Sequence, residues 1–234
     1  MDNKNTNIEP DYNEEDAPLL RKIIAKRMIE SKVTNPHFYL TVDVDVKPLI
    51  EYRKTKIENL GKKVSYNDIL MKAISNVLIA NPECNVSYID DKIRTYQDVN
   101  ICLAVAVKNG LLTPAVRKVQ EKSISQINTD SQELVNKARM MRLRPKESVG
   151  GTFTLSNLGM FGIEDFSAII NTPQALILAV GAMREVPVVS EGKIVIGYRM
   201  KMTLSCDHKI VDGATGATFL SELKTIVENP VRIE

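Results

Sequence analysis

The sequence of 234 residues predicts one α/β domain in which a mixed β-sheet is layered with helices. Three observations lead there. Apolar residues recur with a period of two in some stretches and at helical spacing in others. The two kinds of stretch do not alternate strictly and several strands are joined by tight turns, which argues against a purely parallel βαβ sheet. A hydrophobic content of 44% over this length supplies one substantial core more readily than two.

Residues 1–18 are rich in Asp, Glu and Asn, hold Pro10 and Pro18, and have little apolar surface to bury, so they read as a solvated linker ahead of a domain spanning 19–234. From Leu20 to Lys32, Leu20, Ile24 and Met28 form a helical stripe that Pro36 prevents from running far past Asn35. Residues 37–46 alternate, with Phe38, Leu40, Val42, Val44 and Val46 on one face of a strand. One helix is expected from Pro48, and another from Asn67-Asp68 to Pro82, with the stripe Ile69, Leu70, Ala73, Ile74, Val77 and Leu78. A hairpin over 86–96 turns at Asp90-Asp91, and strands over 99–107 and 111–116 flank the turn Lys108-Asn109-Gly110. A helix near 125–141 follows. After Gly150-Gly151 come a short strand from Thr152 to Leu155, a Gly-rich loop beginning at Ser156, and a buried strand from Ala175 to Val180. A hairpin across Glu191-Gly192 then opens a long strand ending near Ser205, and a helix from about Gly213 to Glu228 closes the domain.

Charge and cysteine content exclude several classes. Lys and Arg number 31 against 29 Asp and Glu, with no basic stripe interleaved with aromatics, so nucleic acid is not an expected partner. Cys84, Cys102 and Cys206 are scattered and odd in number, which suits reduced thiols and no disulfide. No apolar run reaches the roughly 18 residues that span a bilayer, and Met1-Asp2-Asn3-Lys4 lacks the apolar core of a secretory signal. A soluble protein with no membrane partner is expected.

Two histidines are candidates for proton transfer near neutrality. His37 starts an amphipathic strand, where a polar residue needs no functional explanation. His208 lies in Ser205-Cys206-Asp207-His208-Lys209-Ile210-Val211-Asp212-Gly213, between a strand and a helix. Two readings of it stay open: an acid–base group in a strand-end loop, or an incidental residue beside the capping residues Asp207 and Asp212. A metal site built on Asp207, His208 and Asp212 is weak, since it lacks companion His and Cys ligands. Cys206 sits in an apolar strand, the setting of an inert thiol. The loop Ser156-Asn157-Leu158-Gly159-Met160-Phe161-Gly162 lacks the Lys-Ser or Lys-Thr pair of a phosphate-cradling loop, and taken alone Ser156 reads as a turn-forming serine.

The run from Asp207 to Gly213 resembles the Asp-His-Arg-x-x-Asp-Gly signature of the 2-oxo acid dehydrogenase acyltransferase cores, related to the His-x-x-x-Asp-Gly of chloramphenicol acetyltransferase. Gly150 to Gly162 is similar to that family's second hallmark. Arg21 to Met28, Pro36-His37-Phe38, Asn67-Asp68, Gly110-Leu111 with Thr113-Pro114, and Asn171-Thr172-Pro173-Gln174 follow in the family's order. One departure is Lys209 where arginine is usual, which keeps the charge and loses the planar fork.

The resemblance implies a two-layer sandwich with a mixed sheet, the chloramphenicol acetyltransferase-like fold of coenzyme A-dependent acyltransferases. It implies direct transfer of an acyl group between a dihydrolipoyl thiol and coenzyme A, both substrates, with no metal or tightly bound cofactor. A thiol with a pKa of about 8.5 is only slightly ionised at neutral pH, so attack on a thioester needs a base, a role the resemblance gives to His208. It gives Ser156 the hydrogen bond to the tetrahedral oxyanion and Asp212 a supporting role in holding the loop or orienting the histidine. Met160 to Ile163 and Phe166 to Asn171 are most similar to pyruvate-type acetyltransferases, so acetyl is the preferred group, with branched-chain and succinyl-transferring relatives as the alternative.

The implied assembly is a homotrimer with each site between neighbouring subunits, possessing cubic or dodecahedral shells of trimers as its larger form. Its implied partners are lipoyl domains and the 2-oxo acid dehydrogenase and dihydrolipoamide dehydrogenase components, in a bacterial cytoplasm or mitochondrial matrix. Family members carry lipoyl domains upstream on linkers; none is recognisable here, which makes residues 1–18 the expected last linker of a longer chain. The C-terminus, Val231-Arg232-Ile233-Glu234, has two apolar residues with which to anchor one trimer to the next, so a weak contact between trimers is expected. A scaffold subunit without activity and a stand-alone acetyltransferase acting on a small molecule remain the competing classes; the presence of His208, Ser156 and Asp212 disfavours the first.

Overall fold

Helix α1 (Leu19–Thr34) begins directly after Pro18 in the computed structural model, which describes residues 10–108 and 110–233. Residues 10–18 run exposed without regular structure. Residues 1–9 of the expected linker, Asn109 of the expected turn and Glu234 lie outside the described residues. The stripe Leu20, Ile24 and Met28 is the shielded side of α1, and its last turn buries Ser31, whose hydroxyl donates to the Ile170 carbonyl at 2.6 Å. Asn35 leaves the helix in an extended conformation, as a residue before proline must.

Strand β1 (His37–Asp45) follows with the expected alternation, Val44 fully buried and Thr41 and Asp43 exposed. Helix α2 (Lys47–Leu60) has Pro48 in its first turn and ends on Gly61, whose φ of 61° suits the left-handed cap. Helix α3 (Tyr66–Ala80) starts at a capping box in which Ser65 and Asp68 satisfy each other's backbone N–H groups. The buried Asp68 carboxylate also accepts from Asn128 at 2.8 Å and Ser131 at 2.6 Å, tying α3 to a later helix.

Strands β2 (Val86–Ile89) and β3 (Lys92–Thr95) form the expected hairpin. The next region departs from expectation. The anticipated strands over 99–107 and 111–116 each divide, giving β4 (Ile101–Leu103), β5 (Val105–Val107), β6 (Gly110–Leu112) and β7 (Ala115–Val116). Strands β5 and β6 pair as a separate ribbon, while β4 and β7 pair in the main sheet. Pro114 has no N–H to donate and falls at one of the breaks. Helix α4 (Ile124–Arg139) is opened by a second capping box, Ser123 with Gln126.

The remaining elements are β8 (Phe153–Asn157), β9 (Leu176–Val180), β10 (Arg184–Ser190), β11 (Lys193–Asp207) and α5 (Gly213–Glu228). The main sheet has the order β1-β11-β9-β8-β4-β7, with β10 also on β11. Strands β4, β8 and β9 are parallel neighbours and the other pairs antiparallel, which is the mixed sheet expected. Helix α5 contacts both α2 and α3, and all three contact the sheet across a core containing Ile69, Leu70, Ile74, Phe153, Leu178, Met202, Leu204 and Phe219. Gly216 allows the close seating of α5: a β-carbon there would lie 3.0 Å from Leu40 Cδ1 and 3.2 Å from Cys206 Sγ. The opposite face of β11 is covered by the irregular segment 163–170, through hydrogen bonds from Thr203 to Asp165 at 2.5 Å and from Ser205 to the Ala168 carbonyl at 2.7 Å.

At the C-terminus Ile233 is wholly buried in its own chain and its carbonyl accepts from Asn76 at 3.0 Å, while Val231 projects outward.

Candidate active site

Strand β11 ends in a turn set largely by backbone hydrogen bonds. The Asp207 N–H donates to Ala175 and that of His208 to Pro36, both at 2.9 Å, and the N–H groups of Ile210 and Val211 turn back onto the Asp207 carbonyl. The buried Asp207 carboxylate accepts from the Lys209 N–H at 3.1 Å and faces Lys209 Nζ at 3.4 Å. It therefore organises the turn. Lys209 Nζ also donates to Asn35 Oδ1 at 3.0 Å and lies 5.1 Å from the centre of the Tyr88 ring. The outcome is an exposed His208 imidazole on a turn pinned to α1, β1 and the β2–β3 hairpin, with the Phe38 ring packed against it at 4.6 Å between centroids.

Asp212 stands at the N-cap of α5, where its Oδ1 accepts from the Thr215 N–H at 2.8 Å. The Thr215 hydrogen bonds hold its carboxyl below the usual aspartate range, and the nearby His208 contributes less. Capping and proximity to the histidine thus coexist in one residue.

Ser156 lies not in a loop but as the penultimate residue of β8, because pairing with β9 continues to Asn157 opposite Val180. Its half-buried side chain lines a cavity of about 300 Å3 whose walls include Leu103, Val105, Leu111, Val135, Leu158 and Phe161. Asn67, Asn157 and Arg139 add polar groups to that lining.

One chain does not bring Ser156 and His208 together. Ser156 is level with Ala179, and Ala179 with Thr203 on β11. His208 is five residues farther along, at about 3.3 Å each, and two strand spacings of about 4.8 Å to the side, so the two α-carbons are separated by roughly 19 Å. His208 and Asp212 lie at one end of the sheet, and Ser156 lies near the other end.

Both nitrogens of His37 are occupied. Nδ1 lies 2.7 Å from the Asn35 carbonyl, while Nε2 accepts from the Ile170 N–H at 3.0 Å, an arrangement that joins β1 to the segment covering β11. Cys84, Cys102 and Cys206 are buried and unpaired, and burial pushes the thiols of Cys84 and Cys206 up to about 12, far from thiolate chemistry at neutral pH.

Three groups had no functional reading from sequence. Asn67 was legible as a helix start and as a landmark of the family order, without a role, yet it lines the Ser156 cavity. Arg139 brings a cation to the same cavity from the last residue of α4, where a basic residue is ordinarily explained by the helix dipole. Lys209 stood out only as a departure from a motif.

The catalytic-domain model of the 2-oxoacid dehydrogenases acyltransferase family matches residues 9–234. The dihydrolipoyllysine-residue acetyltransferase component of the pyruvate dehydrogenase complex of Rickettsia prowazekii is 44% identical over 216 residues, which is 91% of this chain and 53% of that relative. The chain therefore spans about half the length of the curated relatives it matches. A probable dihydrolipoamide acetyltransferase from Listeria monocytogenes superposes with a TM-score of 0.88 at 34% identity, covering 93% of this chain and 95% of that one. An Azotobacter vinelandii dihydrolipoamide acetyltransferase, solved to investigate the role of a serine, a histidine and an asparagine in catalysis, gives a TM-score of 0.91 at 28% identity over 95% of this chain and 94% of that one. The cubic core of the pyruvate dehydrogenase multienzyme complex gives the same TM-score, identity and coverage. A chloramphenicol acetyltransferase shares the fold at a TM-score of 0.53 and 13% identity, covering 88% of this chain and 94% of that one.

Proposed function

The chain belongs to the 2-oxoacid dehydrogenases acyltransferase family, and we propose that it transfers an acetyl group between the dihydrolipoyl thiol of a lipoyl domain and coenzyme A. The observation that carries this reading is an accessible imidazole and a cavity-lining hydroxyl whose spacing matches that of a studied enzyme. The serine and histidine named for the Azotobacter vinelandii enzyme are 52 residues apart, with the asparagine four residues beyond. Ser156, His208 and Asp212 keep both intervals, with aspartate in the place of asparagine.

In the transfer, the His208 imidazole takes the proton of the coenzyme A thiol as its sulfur attacks the acetyl-dihydrolipoyl carbonyl carbon. The carbonyl becomes a tetrahedral oxyanion, which accepts a hydrogen bond from Ser156 more strongly than the planar thioester does. Collapse re-forms the carbonyl and breaks the bond to the dihydrolipoyl sulfur, which receives the proton from the imidazolium. Ser156 stabilises charge and is not acylated. Asp212 fixes the start of α5, and its negative charge lies near enough to His208 to be felt there.

The separation within one chain supports a homotrimer in which His208 of one subunit faces Ser156 of the next, and the cubic-core likeness supports assembly of such trimers into a larger shell. In this reading residues 1–18 tether the domain, lipoyl domains deliver the acetyl group, and the dehydrogenase components dock around the shell. The curated relatives include bacterial proteins and a mitochondrial one, so the compartment follows the source, cytoplasm or matrix. Among the described residues no helix is long and apolar enough to cross a membrane.

The test is an assay of acetyl transfer from acetyl-coenzyme A to dihydrolipoamide, with small hydroxyl acceptors as the comparison. Dihydrolipoamide should be the preferred acceptor, and His208→Ala should remove most of the turnover while leaving the fold intact. Near-normal turnover by a folded His208→Ala protein would exclude this mechanism.

A further inference from the structure

Asn67 occupies a junction. It lines the Ser156 cavity and also a neighbouring one of about 380 Å3 walled by Tyr66, Leu70, Met183 and Met200, the two sharing Asn67, Asn157 and Met160. Between them runs a hydrogen bond from Asn157 Nδ2 to Asn67 Oδ1 at 2.8 Å.

The orientation of both amides follows from one fixed donor. The backbone N–H of Gly159 can only donate, and it meets Asn157 Oδ1 at 2.8 Å. Asn157 must therefore turn its NH2 group toward Asn67, and Asn67 must answer with its oxygen. The NH2 of Asn67 is left over. Among the described residues it donates to no protein acceptor, and the Ser156 hydroxyl has no hydrogen-bond partner either. Neither atom is sealed from the cavities, so both can donate to a group that enters. Two unpartnered donors, one held by a helix start and one by a strand end, line a cavity otherwise mostly apolar.

Resting on the acetyl-transfer reading above, we propose that Asn67 is a second oxyanion donor: its Nδ2 and the Ser156 hydroxyl jointly bind the oxygen that becomes negative as the thiol adds to the thioester. The Asn157 amide is its positioning partner. A donor held in place before reaction lowers the barrier without reorganisation, and a donor aimed at the oxyanion raises kcat more than it improves ground-state binding. The simpler alternative gives Asn67 only the job of tying α3 to the end of β8.

The two roles separate in Asn67→Asp. Aspartate retains an oxygen for Asn157 Nδ2, so the tie survives, while the NH2 donor is replaced by an acceptor. Acetyl transfer between acetyl-coenzyme A and dihydrolipoamide is measured for the full chain, with thermal unfolding as the control for folding. The expected result is a fall in kcat of about 10²-fold, with KM for both substrates within a few-fold of the parent. A folded Asn67→Asp protein retaining kcat within about three-fold, or one whose loss lies in KM alone, overturns the proposal. Should Asn67→Asp not fold, Asn67→Ala and Asn157→Ala decide the matter, since both break the tie and only the first deletes the donor. Asn67→Ala must then be slower by at least about ten-fold, and equal losses overturn the proposal. An inactive parent protein would instead sink the acetyl-transfer reading itself, and this inference with it.

Discussion

Mixing two inactive variants tests whether each site is built from two chains. The calculation begins with the sheet. Ser156 and Thr203 are level across β9, and His208 is five residues beyond Thr203, which puts the two α-carbons roughly 19 Å apart. A serine and a histidine side chain together extend only about 7 Å toward each other, a reach set by bond lengths near 1.5 Å, so they cannot act on one carbonyl from the same chain. Ser156→Ala and His208→Ala chains, each nearly inactive, are unfolded together in equal amounts and refolded into random trimers. A site is intact when its histidine donor is the serine variant and its serine donor the histidine variant. Each condition is met half the time, so about a quarter of the sites should regain full activity, far above a background lowered by roughly 10²–10³. The yield should also peak at equal mixing, because it varies as the product of the two fractions. With subunit exchange verified by mass-tagged chains, activity no greater than the average of the separate variants would refute the division.

Other consequences can be checked on the isolated protein. Lys209→Met removes the ammonium from Asn35, Asp207 and the Tyr88 ring and leaves the buried Asp207 with one partner fewer, so stability should fall by about 1–3 kcal/mol in denaturant titration and kcat should fall with it. Lys209→Arg should restore both; restoration by methionine's bulk alone would show that charge is irrelevant there. Glu147, bonded first by Arg144 and then by Lys137, has its carboxyl drawn down from 4.5 to about 2. A lowered folded-state pKa means stability that is complete above the unfolded value and lost as pH falls. Glu147→Gln should therefore be less stable than the parent above pH 4.5, with the gap closing toward pH 2 in urea melts; a gap that widens on acidification would contradict the assignment.

How legible each element was depended on whether its cause is local. The strict alternation of β1 and the turn at Asp90-Asp91 are each written in fewer than ten adjacent residues and appear where expected, while α3 starts at Tyr66, one residue ahead of the expected Asn67-Asp68, because Ser65 is its cap. The division at Ala104 was not readable, because the apolar run from Ile101 to Val107 continues while the pairing partner changes from the main sheet to a ribbon. Nor was the packing of segment 163–170 over β11, which rests on single hydrogen bonds between residues such as Asp165 and Thr203, far apart in sequence. Burial of Ile233 was invisible for a similar reason: an apolar residue near a terminus has no periodic neighbours to show which chain it enters.

The proposed site divides along the same line, and the direction of the strands accounts for the division. His208 could be found because its turn is a local motif held by Asp207 and capped by Asp212. Ser156 could be found from another local motif, but nothing in the sequence states how the two motifs are oriented in the folded chain. Strand β11 runs antiparallel to β9, and β9 runs parallel to β8. A residue just beyond the end of β11 must therefore emerge where β8 begins, while Ser156 is next to the last residue of β8. Moving either side chain to another rotamer cannot close that gap; only reversing a strand could. If the proposed transfer needs both an imidazole and a hydroxyl at one carbonyl, the second group must come from a second chain, which is what the mixing of variants tests.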